Sequence, residues 1–314
     1  MSILNQTSCA TSGGNTGIPD CAVIVRNWRY GFLVPLSFVV PSSALGSQAD
    51  FLQFMQLAAQ EDSPSDRIYP LPPIEAVTDN TEEPVSETIG GTAFFVRDGK
   101  YNLTARYVKG GNCVSNALRK FNNGNYALII VDGAGLVVGT RTGVADELKG
   151  IPLDNFNARA FRFATDSTVT NYSFNVVFDA AYINEGIAFV ESNLADMLSI
   201  TGLMNINLSL VGTRTAGVFV LQAKAGCAGV NLYDQYSADL ADATIYEVLN
   251  KNGLVVPITS VAVAPGSKGF TFTLDTTSPN YTSGQPYTVK GAGVSALVAA
   301  DVDGYEIAPP IVVA

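Results

Sequence analysis

The sequence predicts a mainly β protein, built as a larger β domain with one flanking helix and a smaller β-sandwich after it. Three observations carry this. Short runs rich in Val, Ile, Phe, Tyr and Thr recur along most of the chain, bounded by Gly, Pro, Asn and Asp turn signals. The strongest helical spacing is confined to Ser47–Glu61. From Gly217 a different rhythm begins, with short strands spaced as in a compact sandwich.

In chain order, residues 1–25 are rich in Gly, Ser, Thr and Asn and read as an extended arm. Residues 26–40 read as strand, broken or edged by Pro35. In the helix, Ser47 is the N-cap; Phe51, Phe54, Met55 and Ala58 form the apolar stripe, and Pro64 ends the segment. A stripe of this kind is core rather than a ligand box. Residues 62–84 combine prolines with the acidic Asp79, Glu82 and Glu83, which excludes helix and central sheet. They read as an exposed loop that packs on a partner, with Tyr69, Pro70, Pro72, Asp79, Glu82 and Glu83 as its contact residues. EF-hand spacing is absent from its carboxylates.

Asp98-Gly99 and Asp132-Gly133 are each flanked by alternating apolar residues, the strongest short hairpin signal. A short helix between them is expected from Asn112 as N-cap to Phe121. Gly133, Gly135 and Gly139 superficially resemble a dinucleotide loop, but the spacing is G-x-G-x-x-x-G and no helix follows, so a turn is expected. Further strands are expected at 158–164, 170–178 and 204–211, with a short helix at 193–200. Thr213–Ala216 reads as a linker, which divides the chain into an arm (1–25), a β domain (26–212) and a sandwich (213–314). The last has the size of an immunoglobulin-like domain, without the Cys…Trp…Cys pattern of antibody domains.

Function is bounded mostly by what is missing. The chain of 314 residues has no histidine, which removes Ser-His-Asp and Cys-His catalysis and mixed zinc sites. No P-loop, G-x-S-x-G elbow or CxxC occurs. A carboxylate pair for glycoside hydrolysis is spatial and is not visible in sequence, although a single Trp disfavours a sugar platform. No metal or cofactor is expected, and the reading is non-enzymatic.

Apolar residues make up 47% and charged ones only 15%, which points to surface hidden in an assembly. The net charge of -10 opposes binding to a nucleic-acid backbone, yet suits a wall past which such a chain slides. No apolar run is long enough to span a membrane. MSILNQTSC lacks the basic start of a secretory signal, which predicts a cytoplasmic origin and four free thiols at Cys9, Cys21, Cys113 and Cys227. Cys113 opens a helix, a position that lowers a thiol pKa, but no histidine is present to serve as its base.

The segments RIYPLPPIEAVTDNTEEPVSET, VRDGKYNLTARYVKGGN and ALRKFNNGNYALIIVD resemble virion structural proteins of tailed bacteriophages, most like tail tube proteins. The resemblance covers about residues 15–212. The region with TFTLDTTSPNYTSGQPYTV looks like the immunoglobulin-like modules appended to such proteins. It implies a tail-tube-like β-sandwich with a flanking helix. Copies of the chain would form rings, usually hexameric, stacked around a lumen that conducts genomic DNA without specific binding. Other virion proteins would be partners, and no membrane is involved. The location would be the virion, assembled in the host cytoplasm. Carried onto this chain, the lumen hairpins are those at Asp98, Gly99 and at Asp132, Gly133, and the inter-ring loop is 62–84. Rival readings are a capsid, capsid-decoration or neck-ring protein, and a carbohydrate-binding or adhesive module.

Overall fold

The structure is a computed structural model that describes residues 27–142, 144, 147–159, 161–164, 166, 170–179, 186–190 and 199–314. The expected arm, Cys9, Cys21 and most of the expected helix at 193–200 lie outside them. The protein is mainly β, 45% strand and 17% helix. It divides into two compact units between Thr201 and Gly202.

The first unit is organised by two apolar strands, β1 (Trp28–Pro35) and β8 (Tyr126–Asp132), paired antiparallel inside an 11-stranded sheet. Their alternation feeds two cores. Phe32, Val34, Ile129 and Val131 face one way, while Leu33 and Leu128 face the other. Helix α2 (Gln48–Ala59) covers the first side with Phe51, Met55 and Ala59. Ser47 caps it as the sequence predicts, its Oγ accepting the Asp50 amide at 3.2 Å.

Strand β11 (Ile151–Ala158) connects two parts of the sheet. Its start pairs with β8 (Ile151 opposite Leu128), and the rest pairs with β12 (Tyr172–Phe178). Beyond β12 come β7 (Asn102–Tyr107) and β4 (Ala76–Asp79). Leu33, Leu128 and Val138 of the first part share one core with Tyr107, Phe156, Phe174 and Val176 of the second. The unit is thus sandwich-like.

Three expectations give way here. Short helix α3 (Gly111–Arg119) is preceded by Gly110 at φ 102, so a left-handed glycine occupies the cap position expected for Asn112. Of the strand expected over 158–164, Ala158 ends β11 and, among the other described residues, only an isolated bridge between Arg162 and Asn171 forms. Among the described residues no cysteine is free, since Cys113 and Cys227 are both disulfide-bonded. Thiol pairing depends on proximity in the fold, which spacing along the sequence does not reveal.

The second unit begins earlier than expected. Strand β14 (Met204–Thr215) runs through the supposed linker and forms a hairpin with β15 (Val218–Ala225). Ala216 and Gly217, both at positive φ, make its turn. Residues 213–216 read as linker because Gly212 and Gly217 bracket them, whereas β14 continues to Thr215, which pairs with Val218 of β15. Two sheets follow. One is six-stranded and contains β14, β15, β18 (Ile258–Ala264), β19 (Gly269–Leu274) and β21 (Tyr305–Ile307); β17 (Tyr246–Leu249), β20 (Tyr287–Gly291) and β22 (Ile311–Val313) form the other. Phe219, Leu221, Phe270 and Phe272 of the first share one core with Val248, Tyr287 and Val289 of the second. The β14–β21 pair is parallel.

Tyr246 sits in that core, 5% exposed, with its hydroxyl donating to Leu240 O at 2.9 Å. Burial, with a smaller contribution from the Asp242 charge, drives its phenol far above the ordinary 10.0. The unfolded chain loses this proton first, so the stability it contributes is full below pH 10.0 and declines as pH rises further. Tyr246→Phe should therefore flatten the alkaline loss of stability in urea titrations. At neutral pH it should cost about 1–3 kcal/mol, because Leu240 O loses its donor. An unchanged alkaline slope would assign that loss to other groups.

Candidate assembly surface

One stretch of the first unit does not pack on its own body. Among the described residues, strands β5 (Val85–Ile89) and β6 (Thr92–Arg97) pair only with each other, and every residue in them is exposed. The turn between them is Gly90-Gly91, at φ 59 and 88, the backbone that a tight two-residue hairpin needs. Asp98-Gly99 is therefore not the hairpin turn. Two consecutive glycines meet the positive-φ requirement at no steric cost, and Asp-Gly loses the competition.

Asp98-Gly99 instead lies where the hairpin leaves the sheet. Pairing of β4 with β7 continues through Asn80 N to Asn102 O (2.8 Å) and Glu82 N to Lys100 O (3.1 Å). Residues 76–107 thus form one long antiparallel excursion with its tip at Gly90-Gly91. The projecting part, five residues per strand in β5, extends roughly 17 Å. Gly99 is buried there, and a Cβ on it would stand 1.7 Å from Glu82 O. Gly99→Ala should push the two strands apart at the root, costing about 1–3 kcal/mol. Amide exchange at Glu82 would accelerate; unchanged exchange would show that the root tolerates a side chain.

The hairpin carries apolar residues on both faces. Phe94 lies opposite Glu87 on the face that holds Ile89, and Phe95 lies opposite Ser86 on the other. Ile89 is 60% exposed, Phe94 52%, Phe95 66% and Val96 55%. Its root is acidic. Asp79, Glu82, Glu83 and Asp98 line a 310 Å³ cleft there, and Arg97 approaches Glu82 at 3.7 Å. The Thr81 hydroxyl, and then the Thr81 amide at 2.8 Å, hold the Asp79 carboxyl below its usual range.

The other expected site residues fare differently. The Asp132-Gly133 hairpin forms, with β8 paired to β9 (Val137–Arg141). Asp132, however, is 1% exposed. Its Oδ1 accepts the amides of Ala134 and Leu136, each at 2.8 Å. It is a turn former spent on its own backbone and cannot line a surface; Gly133 is exposed, its amide bonded to Asn27 O.

The segment 62–84 is not a single free loop. Tyr69 and Pro70 form a two-residue strand, β3 (Tyr69–Pro70), on β1. Tyr69 also packs on Phe121 and Tyr126, with ring centroids 4.5 and 6.3 Å away. Pro72 is half-buried, and Ile68, Leu71 and Ile74 are core. The prolines hide a period-three apolar pattern, which neither helix nor strand templates detect. Only Asp79, Glu82 and Glu83 of this group are exposed. Trimming all of 62–84 should therefore unfold the unit rather than spare it. The self-paired β5–β6 hairpin is what sequence reasoning missed; Ile-Gly-Gly-Thr was the available signal.

No known protein-family model matches the chain, and no curated protein is significantly similar to it. Among the described residues, no group of three or more Cys, Asp or Glu side chains is placed to hold a metal ion, and no helix is long and apolar enough to cross a membrane.

Proposed function

We propose that this chain is a non-enzymatic, self-assembling virion protein, the subunit of a tail tube. The observation that carries the reading is the β5–β6 hairpin. A two-stranded hairpin is marginal in water unless something covers it, and this one exposes Ile89, Phe94, Phe95 and Val96. Apolar surface of this kind marks a contact with another protein. A hairpin reaching from one edge of the unit onto a different surface of the next copy makes a heterologous contact, and such contacts give rings or open stacks.

In this reading the acidic root at Asp79, Glu82, Glu83 and Asp98 faces the passing DNA, which it repels. The second unit is an appended immunoglobulin-like module outside the assembly. The purified chain should form tubes or stacked rings in negative stain without added metal or nucleotide. Single rings alone would favour the neck-ring alternative. A strict monomer by light scattering across a wide concentration range, at both low and high salt, would overturn the proposal.

A further inference from the structure

A second feature of the first unit lies on the outer face of the β4–β7–β12–β11 sheet. Strand β12 alternates, so Phe174 enters the core while Ser173 and Asn175 point to the opposite face. Ser173 lies directly across from Arg106 on β7. On its other side, the Arg159 amide donates to Ser173 O at 2.8 Å, and Arg162 bridges to Asn171 two residues earlier. Arg106, Arg159, Arg162, Ser173 and Asn175 line one cavity of 240 Å³ that is almost entirely polar, and among the described residues its walls hold no carboxylate.

Two independent observations point to a ligand. First, Arg106, Arg159 and Arg162 converge without an ion pair among the described residues, although acidic residues outnumber basic ones 28 to 18 in this chain. Three like charges at one cavity repel one another unless an anion joins them. Second, Ser173 is only 3% exposed, and its hydroxyl has no hydrogen-bond partner. A buried hydroxyl left unmet destabilises the fold, and a group supplying its acceptor removes that penalty. By contrast, Asn175 is held by its amide's bond to Thr104 Oγ1 at 3.3 Å, so the wall beside the hydroxyl is preset.

We propose that this cavity binds an oxyanion group, a phosphate or a carboxylate. The guanidiniums supply charge-assisted, bidentate donors, and the Ser173 hydroxyl donates from the floor. The inference is independent of the tube reading.

The test is calorimetric titration of the full chain with sodium phosphate and, separately, sodium acetate, each against sodium chloride at matched ionic strength. Saturable binding of phosphate is expected, and Arg106→Gln and Arg159→Gln should each weaken it at least tenfold. Ser173→Ala should weaken it too, while leaving the anion-free protein at least as thermally stable as the parent, because the variant removes an unmet polar group. Saturation by phosphate alone assigns the site to phosphate groups; saturation by acetate as well assigns it to a carboxylate. No saturable response to either anion, or a response that both arginine variants leave unchanged, would overturn the proposal.

Discussion

Replacing Val85–Arg97 by a short Asn-Gly turn is expected to abolish self-association and leave the fold intact. All residues removed are exposed, and among the described residues β5 and β6 pair only with each other, so no core contact is lost. The chain is already close at the cut, where Gly99 packs against the Glu82 carbonyl. An Asn-Gly pair suits a turn of this kind. The variant should melt within about 0.5 kcal/mol of the parent, as surface changes usually do. In light scattering it should remain monomeric where the parent assembles. Paired substitution Phe94→Ser and Phe95→Ser should weaken assembly in the same direction, since both rings are more than half exposed at the hairpin. A deletion variant that still assembles would move the interface elsewhere.

The largest expected loss of stability is that of Phe174→Ala. Phe174 is fully buried, with its ring centroid 5.3 Å from Phe156, 5.8 Å from Trp28 and 6.1 Å from Tyr107. It joins the β1 end of the sheet to β11, β12 and β7. Truncation should cost about 3–5 kcal/mol, the usual range for a buried Phe replaced by Ala. That is a large share of the roughly 5–15 kcal/mol that holds a domain folded. Trp28 is the only Trp in the chain and lies in the same core, so its fluorescence in a urea titration reports this unit. A midpoint shift equivalent to under about 1 kcal/mol would mean that the core collapses around the gap or that the two parts of the sheet are not joined there.

Much of the second unit is legible in the sequence. The runs GVFVLQAK, ATIYEVLN, ITSVAVAP, GFTFTLDT and PYTVKGAG all contain strands where the alternation put them. Helix α2, its Ser47 cap and the Asp132-Gly133 hairpin were equally readable. Each of these is a local matter: a repeat of two or 3.6 residues, a cap side chain three residues from its amide, or a turn dipeptide.

What the chain's order of residues determined, then, is the β class, the strands with strong alternation and the short-range turns. The tertiary structure alone decided the rest, because the deciding interactions are between residues far apart in sequence. Ile68, Leu71 and Ile74 are core because β1 passes beside them, although Pro64, Pro70, Pro72 and Pro73 surround them. Residues 213–215 belong to a strand because β15 is there to close the hairpin, with Thr215 opposite Val218. Asp132 looked available as a surface carboxylate until two backbone amides claimed it. The three arginines around Ser173 come from β7 and from the segment just after β11, and only the antiparallel pairing of β7, β12 and β11 brings them together. Local preference is a sum over neighbours along the chain, whereas a surface or a site is set by neighbours across it.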